Sequence, residues 1–97
     1  MSDGFIQKTG DRECVYLMRN RRNGLVKIGS SLNPKFREKT LHSEEPEIEL
    51  ICYAPAGRGF ERELHQVYQE KRVRGEWFQL TEADVRHIDF LLKVENA

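Results

Sequence analysis

The sequence predicts an α+β domain in which a small three-stranded antiparallel sheet is flanked by helices, with the elements in the order ββαβαα. Three observations lead to this prediction. Two short apolar segments flank Asn23-Gly24, a dipeptide that suits the positive backbone angles of a hairpin turn. A third segment, residues 47–54, alternates apolar and polar side chains as a half-buried strand does. Apolar residues at helical spacing follow within residues 60–68 and 85–92.

The predicted hairpin, formed by residues 13–19 and 25–30, brings a phenol and an amine onto one face of the sheet. Side chains alternate between the two faces along a strand, so the register decides which residues meet. Pairing Tyr16 with Lys27 gives an odd sum of residue numbers, and so does a tight turn at Asn23-Gly24. Even positions of the first strand then share a face with odd positions of the second. The residues on this face are Tyr16, Met18, Lys27 and Gly29.

The helix after the hairpin has a recognisable start. Asn33 is a good N-cap and Pro34 suits the first helical position, where its missing N–H has no cost. We expect this helix to run to about His42 and to bury Phe36 and Leu41.

Two further helices are expected in the second half of the chain. The first spans residues 60–72, and Gly75 separates it from a short extended or irregular piece, residues 76–80. Thr81 and Asp84 form a pattern like a capping box, which predicts the start of the last helix. The buried stripe of the first of these helices should consist of Phe60, Leu64, Val67 and Tyr68.

Both cysteines, Cys14 and Cys52, lie in apolar strand-like segments and are expected to be buried reduced thiols. Along the third strand, Cys52 should share a face with Ile48 and Leu50. The sequence has no Cys-x-x-Cys pair, so we do not expect a structural zinc site.

Composition sets the class of protein. The 97 residues predict a flexible lead-in, residues 1–12, and a single domain, residues 13–97. Lysine plus arginine equals aspartate plus glutamate at 16 each, so the overall charge favours neither nucleic acid nor a membrane surface. No apolar run has the length of a membrane span and the N-terminus has no signal-peptide pattern, so we expect no membrane association and a soluble, cytoplasmic protein.

Four motifs follow one another over most of the chain. They are Val15-Tyr16 with Lys27-Ile28-Gly29, the Asn-Pro-x-x-Arg segment at residues 33–37, the Glu-x-x-Leu-His segment at residues 61–65, and Gly-Glu-Trp-Phe at residues 75–78. In this order they resemble the motifs of the GIY-YIG nuclease superfamily, in particular its phage-type branch, in which Lys-Ile-Gly commonly replaces Tyr-Ile-Gly. The resemblance implies the same fold as the pattern above.

The resemblance implies a divalent-metal-dependent endonuclease that hydrolyses phosphodiester bonds in nucleic acid, with DNA as the expected substrate. Tyr16 takes the place of the tyrosine that activates the attacking water, and Arg37 that of the arginine that neutralises the scissile phosphate. Glu61 takes the place of the glutamate that holds Mg²⁺ or Mn²⁺, and His65 lies one turn away. A base, a cation on the phosphate and a metal are the groups that such chemistry needs.

The sequence departs from the family motifs at Cys14 and Lys27, and Lys27 leaves the general base open. Cys14 replaces the family's first glycine and Lys27 its second tyrosine. A cationic Lys27 beside Tyr16 would lower the pKa of the phenol, and it could equally contact a phosphate. Tyr16 with assistance from Lys27 is the preferred assignment.

A second hypothesis is a binding module that keeps the fold without cutting, because a net charge near zero gives little non-specific affinity for nucleic acid. A protein partner or a second copy would then add binding surface. Trp77 and Phe78 are interpreted as aromatic residues that close the core rather than as a base-stacking platform. The expected nucleic-acid contacts are Arg19, Arg21, Arg22, Arg72 and Arg74.

The hypothesis of an active site requires four side chains to meet. We expect Tyr16, Lys27, Arg37 and Glu61 to converge on a shallow, solvent-open patch with Gly29 at its floor. The helix that carries Glu61 should pack on this same face of the sheet.

Overall fold

A five-stranded antiparallel sheet lies at the centre of the computed structural model, which describes residues 13–95; the predicted lead-in lies outside these residues. The strands are β1 (Cys14–Asn20), β2 (Val26–Ser31), β3 (Ile48–Pro55), β4 (Arg72–Arg74) and β5 (Trp77–Phe78). The helices are α1 (Pro34–His42), α2 (Arg58–Val67) and α3 (Glu82–Glu95), and a 3-10 turn, Gln69–Lys71, follows α2. The strand order across the sheet is β3-β1-β2-β5-β4.

The predicted α+β class is confirmed, but the expectation of three strands is wrong. Residues 72–78 form a hairpin that adds β4 and β5 to the sheet. Gly75 sits at its turn with a φ of +53°, in the left-handed region that glycine adopts at little cost. The side chain of Phe78 is fully buried, so this hairpin both widens the sheet and fills the core.

The pairing of β1 with β2 confirms that Tyr16 and Lys27 share a face. Tyr16 lies opposite Gly29 and Met18 lies opposite Lys27, so the register differs from both pairings considered above but keeps their parity. The turn is four residues long, because the amide of Asn20 donates to the carbonyl of Leu25 at 2.9 Å.

A bulge in β3 changes which side chains share a face. The register with β1 shifts between Leu17, which pairs with Cys52, and Met18, which pairs with Leu50, so Ile51 is the extra residue. Leu50 therefore lies on the face of Met18 and Cys52 on the face of Leu17, and the expectation that they share a face is wrong. Neither cysteine is in a disulfide; Cys14 is buried as expected, whereas Cys52 is only partly buried. Burial, with Asp89 second, raises the pKa of Cys52 to about 12.

The sheet has a hydrophobic cluster on each face. The larger one joins side chains of β1 and β2, such as Leu17 and Ile28, to Leu64 of α2 and Ile88 of α3. The smaller one lies on the other face, beneath α1, and consists of Tyr16, Met18 and Ile48 with Leu41, Leu50 and Trp77 packed against them. Helix α2 therefore covers the face opposite Tyr16, and the expectation that it packs on the Tyr16 face is wrong.

The predicted helix starts are confirmed. The Asn33 side chain accepts a hydrogen bond from the amide of Phe36 at 3.1 Å, and Pro34 occupies the first helical turn. Thr81 and Asp84 cap each other reciprocally, with each side chain accepting from the other's amide at 3.0 Å. These bonds satisfy backbone donors that the first helical turn leaves without partners.

Two buried positions were wrongly predicted in the helices. Phe36 is 64% exposed and Val67 is 71% exposed. Helix α2 ends at Val67 rather than at residue 72, and it contacts the sheet through Phe60 and Leu64. Val67 lies on the flank of this stripe that faces solvent, whereas Glu61 lies on the other flank.

Replacement of Gly29 tests the packing of Tyr16 against the sheet. A Cβ atom at residue 29 would lie 2.6 Å from the Tyr16 hydroxyl oxygen and 2.7 Å from its Cζ, so Gly29→Ala must displace the buried ring. We expect a loss of about 1–3 kcal/mol in the free energy of unfolding, measured by chemical denaturation.

Gly59→Ala is the matched control, because a Cβ atom there meets no heavy atom within 4 Å and the residue lies inside α2. Its stability should be equal to that of the parent or higher by up to about 1 kcal/mol. Equal stabilities of the two variants would contradict the packing described here.

Candidate active site

Tyr16 occupies the middle of β1, with its ring stacked over Gly29 and only 1% of its surface exposed. Burial raises the pKa of the Tyr16 phenol, because the charged phenolate would lose its hydration. Hydrogen bonding from Arg37 opposes this rise, whereas the negative charges of Glu76 and Glu61 add to it. The net shift is therefore upward, because desolvation dominates, and Lys27 is not among the groups that shift this pKa.

Helix α1 brings Arg37 to the phenol. Pro34 is buried at the start of this helix and Leu41 packs against the cluster that contains Tyr16. Arg37 lies on the exposed side of the helix, so its guanidinium is open to solvent while it reaches the Tyr16 hydroxyl.

The backbone of β2 exchanges its strand partner for a side-chain partner at Ile28. Strand β5 pairs with β2 at Val26 and Lys27, and its chain then turns away through Glu76. The amide of Ile28 donates to the carbonyl of Glu76 at 3.0 Å, and the carbonyl of Ile28 accepts from Nε2 of His65 at 2.9 Å. A side chain of α2 thus satisfies the acceptor that the departing strand leaves open.

These contacts define the tautomer of His65. The carbonyl of Ile28 is an acceptor only, so Nε2 must carry the hydrogen. Nδ1 then accepts from the guanidinium of Arg72, whose Nη2 lies 3.1 Å away. The imidazole also contacts the ring of Phe78 at a centroid distance of 5.1 Å, and the fixed Nε2–H lies 3.5 Å from Oε2 of Glu61.

Glu61, His65 and Glu76 form a compact cluster beside Tyr16. One ligand atom of each lies within 4.8 Å of the other two, and a cleft of about 240 Å³ opens over them. Two carboxylates suit Mg²⁺ or Mn²⁺, because Mg²⁺ takes one or two protein carboxylates and keeps several waters. His65, in the tautomer described, presents a hydrogen rather than a lone pair to this space and donates it to the carbonyl of Ile28, so the two carboxylates are the available ligands.

Lys27 is held next to this cluster. Its Nζ lies 3.3 Å from Oε1 of Glu76 and 5.6 Å from the centroid of the Trp77 ring. The ion pair ties β2 to the carboxylate of the β4–β5 hairpin and supplies one positive charge to a site with two carboxylates.

Glu61 reaches this site although α2 packs on the other face of the sheet. The edge of β2 beyond Lys27 is not covered by β5, so the side chain passes beside that edge. Its carboxylate lies within 4.8 Å of Glu76, which is paired with Lys27 on the Tyr16 face. A helix on the opposite face of the sheet can therefore still contribute a side chain to this site.

Of the five predicted catalytic residues, Lys27, Glu61 and His65 lie around Glu76, and Arg37 lies near the Tyr16 hydroxyl. The patch is not open throughout, because Tyr16 is buried. Glu76 was missed by the sequence reasoning. It is part of the Gly-Glu-Trp-Phe motif, and its position directly before an aromatic pair was the available signal.

The predicted nucleic-acid contacts differ in their surroundings. Three of the arginines lie close to carboxylates: Arg19 with Glu82 at 2.7 Å, Arg21 with Glu49 at 3.4 Å, and Arg22 with Glu45 at 3.0 Å. Arg72 stacks on Phe78 and contacts His65. Arg74 is exposed and has no side-chain hydrogen bond or ion pair to any residue that the structure describes.

The family model of the T5orf172 domain matches residues 13–91. The chain belongs to this family. The T5orf172 domain is phage-associated and related to nuclease-like folds. No curated protein and no solved structure matches the chain significantly. Among the described residues, no helix has the length and apolar character needed to cross a bilayer.

Alkaline titration tests the electrostatics of Tyr16. The difference in tyrosinate absorbance between the parent and Tyr16→Phe should isolate a phenol that ionises above its ordinary pKa of 10.0. Glu76→Gln should lower this pKa, because it removes a negative charge that disfavours the phenolate.

Glu63→Gln is the control for this titration, since Glu63 is exposed on α2 and does not contribute to the Tyr16 pKa. A raised pKa also means that stability is lost as pH rises from 10 through the folded-state value, and Tyr16→Phe should lose less. A Tyr16 phenol that titrates below 10 in the parent would contradict the dominance of burial.

Nitrogen-15 NMR of the histidine rings tests the His65 tautomer. The parent should show the Nε2–H form, and Arg72→Met should raise the share of the Nδ1–H form because Nδ1 loses its donor. Arg74→Met, two residues along the same strand, should leave the spectrum unchanged. A parent spectrum with the hydrogen on Nδ1 would rule out the described contacts.

Proposed function

We propose that this T5orf172 domain is a divalent-metal-dependent endonuclease of the GIY-YIG type that hydrolyses phosphodiester bonds in nucleic acid, with DNA as the expected substrate. One observation carries the proposal: a buried phenol with an arginine near its hydroxyl lies beside a pair of carboxylates at an uncovered sheet edge. Few structural roles require both groups in one place.

Arg37 is the residue that binds the scissile phosphate in this proposal. Arg37 is exposed, so a polymeric substrate can reach it, and it lies near enough to Tyr16 to oppose the rise in the pKa of the phenol. A phosphate held by Arg37 therefore lies next to the phenol. Guanidinium groups suit this task because they are always charged and match phosphate oxygens with two parallel donors.

Tyr16 is the proposed general base, and its protonation is the barrier to that role. Burial and the charges of Glu61 and Glu76 keep the phenol protonated near neutral pH. Neutralisation of those two carboxylates would remove both of the electrostatic contributions that raise the pKa of Tyr16. Occupancy of the carboxylate pair and activation of the base are thus linked.

Glu61 and Glu76 would hold Mg²⁺ or Mn²⁺, which when bound stabilises negative charge on the leaving oxygen. His65 lies beside Glu61 and is itself held in place by the carbonyl of Ile28 and the guanidinium of Arg72. Lys27 balances Glu76 and supports the site as a cation, which favours Tyr16 over Lys27 as the base. The linkage has a readout other than cleavage, because Mg²⁺ should lower the Tyr16 pKa in the alkaline titration.

A binding module without catalysis is the second candidate. It is favoured by the ion pairs of Arg19, Arg21 and Arg22, which reduce the positive charge that the hairpin loop offers to phosphates. Cleavage assays separate the two candidates.

The purified protein should cut plasmid, single-stranded DNA or RNA in Mg²⁺ or Mn²⁺ and not in EDTA. Glu61→Gln should abolish the metal dependence together with activity, whereas Glu63→Gln on the same helix should retain activity. Arg37→Met should lower the rate about 10²- to 10³-fold, by analogy with removal of one donor from an oxyanion site.

Arg86→Met is the control for Arg37, since Arg86 is exposed on α3. Cleavage that persists in EDTA, or that Glu61→Gln leaves unchanged, would reject the metal-dependent mechanism. Binding of nucleic acid without any cleavage would favour the second candidate.

A further inference from the structure

A second cleft, of about 330 Å³, lies on the Tyr16 face of the sheet, between the hairpin turn, the end of α1 and the β4–β5 hairpin. Its lining combines an aromatic ring, apolar side chains, amides and charges of both signs. The residues that matter here are Asn23, Lys27, Leu41, Glu44, Arg74 and Trp77.

We propose that this cleft binds an unpaired nucleobase next to the scissile phosphate, so that the preferred substrate carries a single-stranded or extrahelical nucleotide at the cleavage point. The inference rests on the proposed function for its link to cleavage, and the binding itself is measurable without cleavage.

Trp77 gives the cleft a surface for a flat ring. It is half-buried in β5, where its backbone pairs with Lys27, so its indole is held by the sheet rather than by a mobile loop. Leu41 lines the same cleft from the α1 side. Stacking on an aromatic side chain stabilises a bound base irrespective of its identity, because every base has a π face.

The polar residues suit the edge of a base. The side-chain oxygen of Asn23 accepts from the amide of Leu25 at 3.0 Å, which fixes the amide group and leaves its NH₂ donors without a partner among residues 13–95. Glu44 has no side-chain hydrogen bond or ion pair within the same residues, so it offers an acceptor. A donor and an acceptor together can read the edge of a nucleobase.

Charge defines which part of a nucleotide enters. Glu44 disfavours a phosphate inside the cleft, whereas the exposed Arg74 attracts one at its boundary. The group that fits is neutral and flat with an anion at its exit, which describes a nucleobase with its phosphate.

Lys27 connects the cleft to the candidate active site. It lines the cleft and also pairs with Glu76 of the carboxylate cluster, so a base stacked on Trp77 leaves its phosphate near that cluster. A base within a duplex is stacked and paired and cannot enter, because it must first be extruded at a cost of a few kcal/mol. Unpaired nucleotides avoid this cost.

Trp77 is the single tryptophan of the chain, so its fluorescence reports directly on the cleft. The probe is a DNA oligonucleotide offered to Glu61→Gln as a single strand, as a duplex, and as a duplex with one extrahelical nucleotide. We expect quenching by the first and third at concentrations at which the intact duplex gives little.

Two variants test the contacts with a dye-labelled single strand. Trp77→Leu should weaken binding about 5- to 150-fold. Asn23→Asp keeps the oxygen that accepts from Leu25 and loses the donors, so it should weaken binding without disturbing the turn. Phe90→Ala, which removes an exposed aromatic residue of α3, is the control and should bind like the parent.

Equal quenching by the single strand and the intact duplex would overturn the proposal, as would unchanged binding by both variants. Selective quenching by unpaired nucleotides supports it whether or not the parent protein cleaves. A parent that shows this selectivity but cuts none of the three substrates would refute the proposed endonuclease and leave the cleft assigned.

Discussion

The candidate site depends on the backbone of one residue, Ile28. Both of its polar groups point to the edge of β2, where β5 departs after two paired positions. The amide binds the carbonyl of Glu76 and the carbonyl binds the imidazole of His65. A buried carbonyl without a partner costs about 1–3 kcal/mol, so the sheet itself favours a donor from α2 at this point. These two bonds hold Glu76 and the helix that carries Glu61 at the same residue of β2, although the two glutamates are distant in the sequence.

Tyr16 packs into the core, and the catalytic role proposed for it has the opposite electrostatic need. Its ring fills the space above Gly29 and belongs to the smaller hydrophobic cluster. That burial stabilises the fold and disfavours the phenolate, whereas Arg37 favours it. The raised pKa thus favours the neutral phenol, and in the proposed mechanism the balance of surrounding charges decides when it can act as a base. Such a site would be inactive until its carboxylates are neutralised.

Local signals allowed much of the fold to be predicted from the sequence. The parity of the hairpin depends only on alternation along two strands, so it held although the register moved. Asn33 and Thr81 mark helix starts by short-range hydrogen bonds and were confirmed for the same reason. Strand β5, with two residues, is too short to show a period, and the bulge at Ile51 leaves no trace in an alternating pattern.

The sequence motifs allowed most residues of the candidate site to be proposed, but not the packing of α2 or the presence of Glu76. Convergence of Tyr16, Arg37 and Glu61 follows from the resemblance, but the face on which α2 packs could not be read from its stripe. A stripe of apolar residues indicates that one side of a helix is buried, but it does not indicate which surface of the protein buries it. Glu76 belongs to the site only because β5 turns away from β2, a feature that no local pattern announces.

The two outer strands of the sheet limit how copies of this chain can associate. An unpaired strand edge is a template on which another chain can add, and long flat edges are the usual origin of such growth. Here one edge is β3, which is bent by its bulge and ends at Pro55, a residue with no amide to donate. The other is β4, which is three residues long and begins and ends with the exposed arginines Arg72 and Arg74. Addition of a strand is therefore disfavoured at both edges. A partner or a second copy is expected to dock through side chains, and growth of the sheet by edge-to-edge pairing is disfavoured.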